Sequence, residues 1–300
     1  MTADEVWVWR SLLYVPANVE RYVAKAHTRG ADAILLDLED SVPADEKDRA
    51  RDCAAAAAET LAKAGADVAV RINQPLRIAV RDLEAVVSPN VKALAIAKTD
   101  GAGHVRLLCE TVAEIEAMRG MTPGHTRFIV MVETAAAFFR MREIAAADRR
   151  VAALVLSSED FSLSCGMEPD ADTLYVPKVH AVIAARAAGV APLGFIDSVA
   201  NLADRETFEA AVRRSRRLGF EGATCVHPDQ VAVLNAAFAP SADEVAHATR
   251  IIAANQPAEA EGRASFQLEG RMIDIPVVLR AERLLHRHRA LAERAARRSS

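Results

Sequence analysis

Cysteine is scarce in this 300-residue chain, and its four cysteines form no recognisable pattern. Cys53, Cys109, Cys165 and Cys225 lie far apart, and no C-x-x-C pair occurs. Zinc sites and disulfide frameworks are indicated by closely and regularly spaced cysteines, so neither is predicted here. Scattered cysteines of this kind suit a reducing compartment, and we therefore expect a cytoplasmic protein.

Long apolar runs and an excess of one charge are also missing. No stretch approaches the roughly 18 apolar residues of a membrane helix, and Asp4 and Glu5 precede any apolar run, so we expect no membrane span and no targeting segment. The formal net charge of −4 gives no general attraction to nucleic acids or anionic membranes. With 51% hydrophobic and 26% charged residues, the composition indicates a folded protein, and small molecules are its expected partners.

Short apolar runs alternate with helical patterns along the chain, which is typical of parallel βα units. Eight such runs, the number that closes a (β/α)₈ TIM barrel, occur at residues 11–15, 33–38, 68–72, 93–97, 128–132, 153–156, 193–196 and 223–226. The rival doubly wound sheet usually has a glycine-rich loop after its first strand, but residues 14–18 contain no glycine. We predict an α/β TIM barrel over residues 1–240, with outer helices near 45–64 and 105–119, and a C-terminal helical extension over residues 241–300.

Polar side chains follow the apolar runs, at the point where all the strands of a barrel meet at one mouth. They include Asp37, Glu39, Asp40, Arg71, Asn73, Lys98, Glu133, Asp160, Asp197, His227 and Asp229. Carboxylates that share one space repel each other and invite a divalent cation, and Mg²⁺ prefers such oxygen ligands. Other roles stay open: Glu133 and Asp160 could cap helices or form ion pairs, Arg71 could pair with Asp37 or Glu39, and Lys98 could form a Schiff base.

Several strings of residues, in order along the chain, resemble the citrate lyase β-subunit/malyl-CoA lyase family within the HpcH/HpaI aldolase superfamily. They are RSLLYVP (10–16), LDLEDSV (36–42), VRIN (70–73), VETA (132–135), SEDF (158–161), VHPDQ (226–230), FAPS (238–241) and GRMIDIP (270–276). The resemblance implies a metal-dependent barrel enzyme that makes or breaks a carbon–carbon bond between an acyl-CoA and a 2-oxo acid. Citryl-CoA, malyl-CoA and citramalyl-CoA are compounds of this kind.

The resemblance also implies roles for single residues. Glu133 and Asp160 would hold Mg²⁺, with Mn²⁺ as the alternative, and Arg71 would stabilise the substrate oxygens. Asp274 would act as the base, carried on a C-terminal lid that often closes over a neighbouring subunit, which implies a homotrimer or homohexamer. Glu39 and Asp40 would assist catalysis by orienting Arg71 or metal-bound water. Substrate-binding residues would be Arg10, Arg71 and Glu133.

The chain departs from the family pattern in three places that bear on the substrate. Relatives commonly have Val-Pro-Gly-Ser after the first strand, Gly-Ala-Glu-Asp after the sixth and Ala-Arg-Ser further on, where this chain has VPAN (15–18), SSED (157–160) and VPK (176–178). Two alternatives to an acyl-CoA lyase therefore stay open. One is a CoA-independent class II aldolase that acts on a 2-oxo acid, and the other is an acyl-CoA-binding subunit that works only within a larger lyase complex.

Overall fold

Each of the eight predicted apolar runs overlaps a β-strand, and the eight strands confirm the predicted TIM barrel. The computed structural model describes residues 8–197, 205–260 and 262–299. Within this part of the chain the barrel strands are β1 (Ser11–Pro16), β2 (Ala33–Asp37), β3 (Asp67–Ile72), β4 (Ala93–Ile96), β5 (Arg127–Val132), β6 (Val151–Leu156), β7 (Ala191–Leu193) and β8 (Ala223–Cys225). Strands in such a barrel are covered on both faces, and β2 is accordingly buried along its whole length.

The strands follow chain order around the barrel, and each neighbouring pair is parallel. β1 pairs with β8, and a bridge between Leu193 of β7 and Gly222 brings the two ends of the sheet together. Gly222 permits this close approach, because a Cβ atom there would lie 2.3 Å from the carbonyl oxygen of Trp9. Since all the strands run in one direction, their C-terminal ends meet at one mouth.

Helices cover the outside of the barrel and bury one stripe of side chains each. The stripe of the third helix includes Ala79, Leu83 and Val86, which are three or four residues apart and so share one face. The helices of the described part of the barrel are α1 (Glu20–Ala26), α2 (Lys47–Lys63), α3 (Leu76–Val86), α4 (Ala102–Met118), α5 (Ala135–Phe138), α6 (Met141–Ala145), α7 (Ser158–Cys165), α8 (Tyr175–Ala187), α9 (Arg205–Leu218) and α10 (Pro228–Ala237).

The seventh strand lies two residues earlier than its apolar run indicates. The prediction was residues 193–196, whereas β7 ends at Leu193. Gly194 has a φ of 135°, which breaks the extended backbone there, although Phe195 and Ile196 remain buried. The prediction missed the start of the strand because β7 contains Pro192. Proline lacks an N–H donor and is uncommon within strands, so it weakens the strand signal in the sequence.

The chain divides into two compact units, with the barrel in Trp9–Phe238 and a second unit in Ala239–Ser300. The second unit contains α11 (Ala242–Ala260), β9 (Ser265–Leu268), β10 (Arg271–Asp274) and α12 (Ile275–Ser299), so the predicted helical extension also includes a β-hairpin. The hairpin turn is Glu269-Gly270, whose φ values of 53° and 76° fit a type I′ turn. No helix within the described ranges is long and apolar enough to span a membrane.

Candidate active site

The C-terminal ends of the strands surround a cavity of about 890 Å³. Asp37 ends β2, Arg71 lies near the end of β3, and Asp160 lies in the first turn of α7, directly after β6. All three line the cavity, together with Tyr14 of β1. The structure therefore brings these sequence-predicted residues together at one mouth, as the parallel order of the strands requires.

Arg71 is held in a fixed orientation by Asp37. Its Nε donates a hydrogen bond to Oδ1 at 2.7 Å and its Nη2 donates to Oδ2 at 2.6 Å, and its guanidinium carbon lies 4.9 Å from the centre of the Tyr14 ring. Burial alone would raise the pKa of Asp37, but the hydrogen bonds and charge of Arg71 hold it below its ordinary value. The salt bridge between Arg71 and Asp37, which the sequence left open, is thus present. The guanidinium of Arg71 has five N–H donors, so some of them stay available for a substrate oxygen.

Glu39 and Asp40 form an ionic network with Arg71 and Lys98. Glu39 lies 3.0 Å from Nη1 of Arg71 and also accepts a hydrogen bond from Lys98, while Asp40 accepts one from Lys98 at 2.9 Å. Burial favours a neutral amine, but the two carboxylates outweigh it and raise the pKa of Lys98. A Schiff base needs a neutral amine, so this pairing argues against the Lys98 alternative. The contacts of Glu39 and Asp40 are compatible with the predicted role of orienting Arg71.

Glu133 is a buried carboxylate with an unsatisfied oxygen. It directly follows β5, its residue is 2% exposed, and its Oε1 atom has no hydrogen-bond partner among the residues that the structure describes. Burial, and then the negative charges of Asp160 and Glu39, raise its pKa to about 8. Glu133 does not cap the following helix, because Thr134 accepts the hydrogen bond from the helix N–H at 3.1 Å. The structural roles considered from the sequence therefore leave the Glu133 carboxylate unexplained.

A divalent cation fits this arrangement. A buried carboxylate oxygen without a donor is costly, and a neighbouring carboxylate adds to the cost, so a cation between Glu133 and Asp160 would relieve both effects. Within the described ranges, no three or more His, Cys, Asp or Glu side chains are grouped as a metal cluster. Two carboxylates suffice for Mg²⁺, which usually keeps several oxygen ligands from water and substrate. The donor set thus matches Mg²⁺ better than a metal that needs a closed protein site.

Arg10 is not among the residues that line this cavity, and its predicted role in substrate binding stays a prediction. It precedes β1, and so lies at the N-terminal end of the strands. Its guanidinium donates to both carboxylate oxygens of Asp32, at 2.8 and 3.0 Å, and Asp32 in turn precedes β2. This pair joins the starts of two strands, a position associated with stability in barrels of this type.

Asp274 lies in the second unit, at the end of β10. Its Oδ1 accepts a hydrogen bond from the backbone N–H of Val277 at 3.3 Å, so it caps the first turn of α12. The capping role and the role of base implied by the family resemblance use the same carboxylate. The catalytic role of Asp274 stays a prediction.

Two features of the mouth were not predicted from the sequence. One is Lys178, a buried residue of α8 that lines the cavity. The other is a set of exposed basic residues, Arg21, Lys25 and Arg29, on α1 and the turn after it, which also line the cavity. Both carry a sequence signal: the basic residues are four apart, which places them on one helical face, and Lys178 occupies a position otherwise apolar in the helical pattern.

Comparisons with a family model and with known proteins agree on one family. Residues 10–228 match the HpcH/HpaI aldolase/citrate lyase family. The chain is 34% identical to citrate lyase subunit beta of Escherichia coli (strain K12), covering 93% of this chain and 92% of that one. It is 32% identical to (3S)-malyl-CoA thioesterase of Cereibacter sphaeroides (strain ATCC 17029), covering 97% and 98%.

A solved structure has the same fold. The protein CitE from Mycobacterium tuberculosis, in complex with magnesium, acetoacetate and coenzyme A, superposes with a TM-score of 0.71. The two chains are 29% identical, and the match covers 93% of this chain and 97% of CitE. This likeness extends beyond the barrel residues matched by the family, because it spans nearly the whole of both chains.

Proposed function

The chain belongs to the HpcH/HpaI aldolase/citrate lyase family, and from this membership we propose that it is a Mg²⁺-dependent lyase that cleaves or forms a 3-hydroxyacyl-CoA. Malyl-CoA, citramalyl-CoA and citryl-CoA are the candidate substrates. The observation that carries the proposal is the unsatisfied buried carboxylate of Glu133 beside Asp160, in the same mouth as the fixed guanidinium of Arg71. The magnesium in the related CitE structure supports the same metal here.

Cleavage of such a substrate is a retro-aldol step. A base removes the proton of the 3-hydroxyl group, the oxygen forms the carbonyl of the 2-oxo acid, and the electron pair of the broken carbon–carbon bond moves onto the acyl-CoA fragment as an enolate. The enolate then takes up a proton to give the acyl-CoA. Asp274 is our proposed base, on the strength of the family resemblance.

The residues of the mouth would have different roles in this reaction. Glu133 and Asp160 would hold Mg²⁺, and a bound Mg²⁺ supplies a Lewis acid that orients and polarises the 2-oxo or 2-hydroxy acid. Arg71 would donate to the oxygens on which charge develops, and the bidentate grip of Asp37 fixes it there before the substrate arrives. Glu39 would restrain Arg71 from its other side.

The basic face on α1 supports an acyl-CoA rather than a free acid as substrate. Arg21, Lys25 and Arg29 line the same cavity as Asp160 and are exposed, so they could contact phosphates of a coenzyme A group. The alternative is a CoA-independent aldolase, which would have no coenzyme A phosphates for these basic residues to contact. A cytoplasmic homotrimer or homohexamer is part of the same proposal, by family resemblance and cysteine usage.

Product analysis with the isolated chain tests the proposal. A lyase converts malyl-CoA, citramalyl-CoA or citryl-CoA into an acyl-CoA and a 2-oxo acid, whereas a thioesterase, the activity named for one relative, releases free coenzyme A and a hydroxy acid. We expect 2-oxo acid formation that stops after treatment with EDTA and returns with Mg²⁺. We also expect Glu133→Ala to lose activity, while Glu143→Gln on the exposed face of α6 keeps it.

The same assay separates the remaining alternatives. Full activity after EDTA treatment would refute the metal mechanism, and free coenzyme A without a 2-oxo acid would indicate a thioesterase. If the isolated chain turned over none of these substrates but did so with acyl-carrier and transferase subunits added, it would be the subunit of a complex. Cleavage of free hydroxy acids alone would indicate the CoA-independent aldolase.

A further inference from the structure

Lys178 lies on the buried face of α8, where a lysine is unexpected. Its neighbours on that face are Ala181, Val182 and Ala185, and the Lys178 residue is only 3% exposed. Its Nζ donates a hydrogen bond to the backbone oxygen of Leu156, the last residue of β6, at 2.7 Å. The long side chain therefore reaches from the outer helix to the mouth of the barrel.

The buried amine has no carboxylate partner at ion-pair distance in the described part of the chain, and Leu156 is the one hydrogen-bond acceptor found for it there. An ammonium group has three protons to donate, so this leaves it short of acceptors. Burial lowers the pKa of Lys178 to about 7, although the more distant charges of Glu159 and Asp197 oppose that change. A group in this state gains from an anion that enters its surroundings.

The substrate cavity offers the space for such an anion. Lys178, Leu156 and Gly194 all line it, as does Asp160 of the proposed metal site. A Cβ atom at Gly194 would lie 3.6 Å from Nζ and 3.3 Å from the Phe220 ring, so the glycine keeps the space between them free of a further side chain. The φ of 135° at this position also favours glycine, which keeps a side chain out of that volume.

We propose that Lys178 is a substrate-binding residue that determines specificity, because it takes a second carboxylate of the 2-oxo acid. This inference rests on the proposed function, in which the first carboxylate is held at the metal. The chain would therefore prefer 2-oxo acids with two carboxylates, such as oxaloacetate, to acids with one, such as pyruvate. The two acids differ only by that carboxylate, so the pair tests the contact directly.

Calorimetric binding of oxaloacetate and of pyruvate, each with Mg²⁺, tests this contact in the full chain. We expect the wild-type protein to bind oxaloacetate at least about 10-fold more tightly than pyruvate, as one charge-assisted hydrogen bond predicts. Lys178→Met should lower the affinity for oxaloacetate about 10- to 100-fold and change that for pyruvate by less than about 2-fold. Methionine has a similar length and suits a buried position, and Lys92→Met at an exposed lysine is the matched control.

A second variant separates anion binding from a purely structural role. Lys178→Gln keeps an N–H donor but has no charge, so we expect the same loss of oxaloacetate affinity. The inference would be overturned if either variant changed the affinities for oxaloacetate and pyruvate equally, or changed neither affinity. So would borohydride-dependent attachment of pyruvate to Lys178, seen by mass spectrometry, because it would assign a Schiff base instead.

Failure of the proposed function would give a different result. In that case the wild-type protein would bind neither acid in a Mg²⁺-dependent way, and the role of Lys178 would fall with it. Mg²⁺-dependent binding of both acids by the wild type, without the preference for oxaloacetate, would overturn only the role of Lys178. The pyruvate measurement therefore distinguishes the two failures.

Discussion

Replacing Glu133 by glutamine should stabilise the metal-free protein while abolishing its response to Mg²⁺. Glutamine has the same shape as glutamate but no charge, so it removes the repulsion by Asp160 and the cost of an ionised buried carboxylate. A residue needed only for the fold would give the opposite result, because loss of a structural ion pair or hydrogen bond destabilises a protein. The substitution therefore separates a ligand position from a structural one.

The size of this effect follows from the pKa of Glu133, which burial and neighbouring charges raise from 4.5 to about 8. Each pK unit corresponds to about 1.4 kcal/mol, so the ionised side chain costs the metal-free fold up to about 5 kcal/mol. The folded pKa is above the unfolded one, so the native state loses stability as the pH rises from about 4.5 to about 8. The gain from glutamine should be small at the lower end of this range and complete above it.

Thermal unfolding in EDTA and in Mg²⁺ measures both effects. For a domain of this size we expect Glu133→Gln to raise the melting temperature by up to roughly 10 °C in EDTA above pH 8, and to change it little near pH 5. Mg²⁺ should stabilise the wild-type protein, because it binds the folded state, but not the variant. Glu143→Gln is the control and should show neither effect. A lower melting temperature for Glu133→Gln in EDTA, or an unchanged response to Mg²⁺, would refute the reasoning.

Two further predictions concern the guanidinium and the closure of the barrel. Arg71→Lys cannot reproduce the bidentate contact with Asp37, so we expect kcat/KM for 3-hydroxyacyl-CoA cleavage to fall about 100- to 1,000-fold, whereas Arg77→Lys on the exposed face of α3 leaves it unchanged. Wild-type activity in the first variant would remove Arg71 from the mechanism. Gly222→Ala would place a Cβ atom 2.3 Å from a backbone oxygen, and we expect the free energy of unfolding in urea to fall by about 2 to 3 kcal/mol. Gly103→Ala, with nothing within 4 Å, is its control, and equal stability of the two variants would contradict the account of the closure.

The barrel could be predicted from the sequence because its strands are covered on both faces. Burial on both sides makes each strand a short apolar run, and β2, with five buried residues in succession, shows this plainly. The seventh strand was misplaced for the same reason: Phe195 and Ile196 are buried and apolar, but they lie beyond Gly194 in a backbone that is no longer extended. The hydrophobicity of a residue indicates that it is buried, but it does not indicate its backbone φ angle.

Strand direction explains which of the predicted site residues lie together. Asp37, Arg71 and Asp160 follow or end strands, and the parallel ring brings such positions to one mouth. Arg10 was assigned with them because it belongs to a family string, but it precedes its strand and pairs with Asp32. Position relative to the strand is therefore a better guide than membership of a motif to which residues share the mouth.

Glu133 and Lys178 show why the electrostatics of the site could not be predicted from the sequence. Both are buried ionisable groups, yet neither neutralises the other: the charges that act on Glu133 are chiefly those of Asp160 and Glu39, and Lys178 responds to different carboxylates. Among the residues that the structure describes, neither group has an ion-pair partner at contact distance, and this depends on three-dimensional placement that no spacing in the chain encodes. A magnesium ion bound with a dicarboxylic 2-oxo acid would supply a cation to one and an anion to the other. On our proposals, the ligands complete an electrostatic arrangement that the folded chain leaves unbalanced, and binding should therefore stabilise the barrel as well as prepare the substrate.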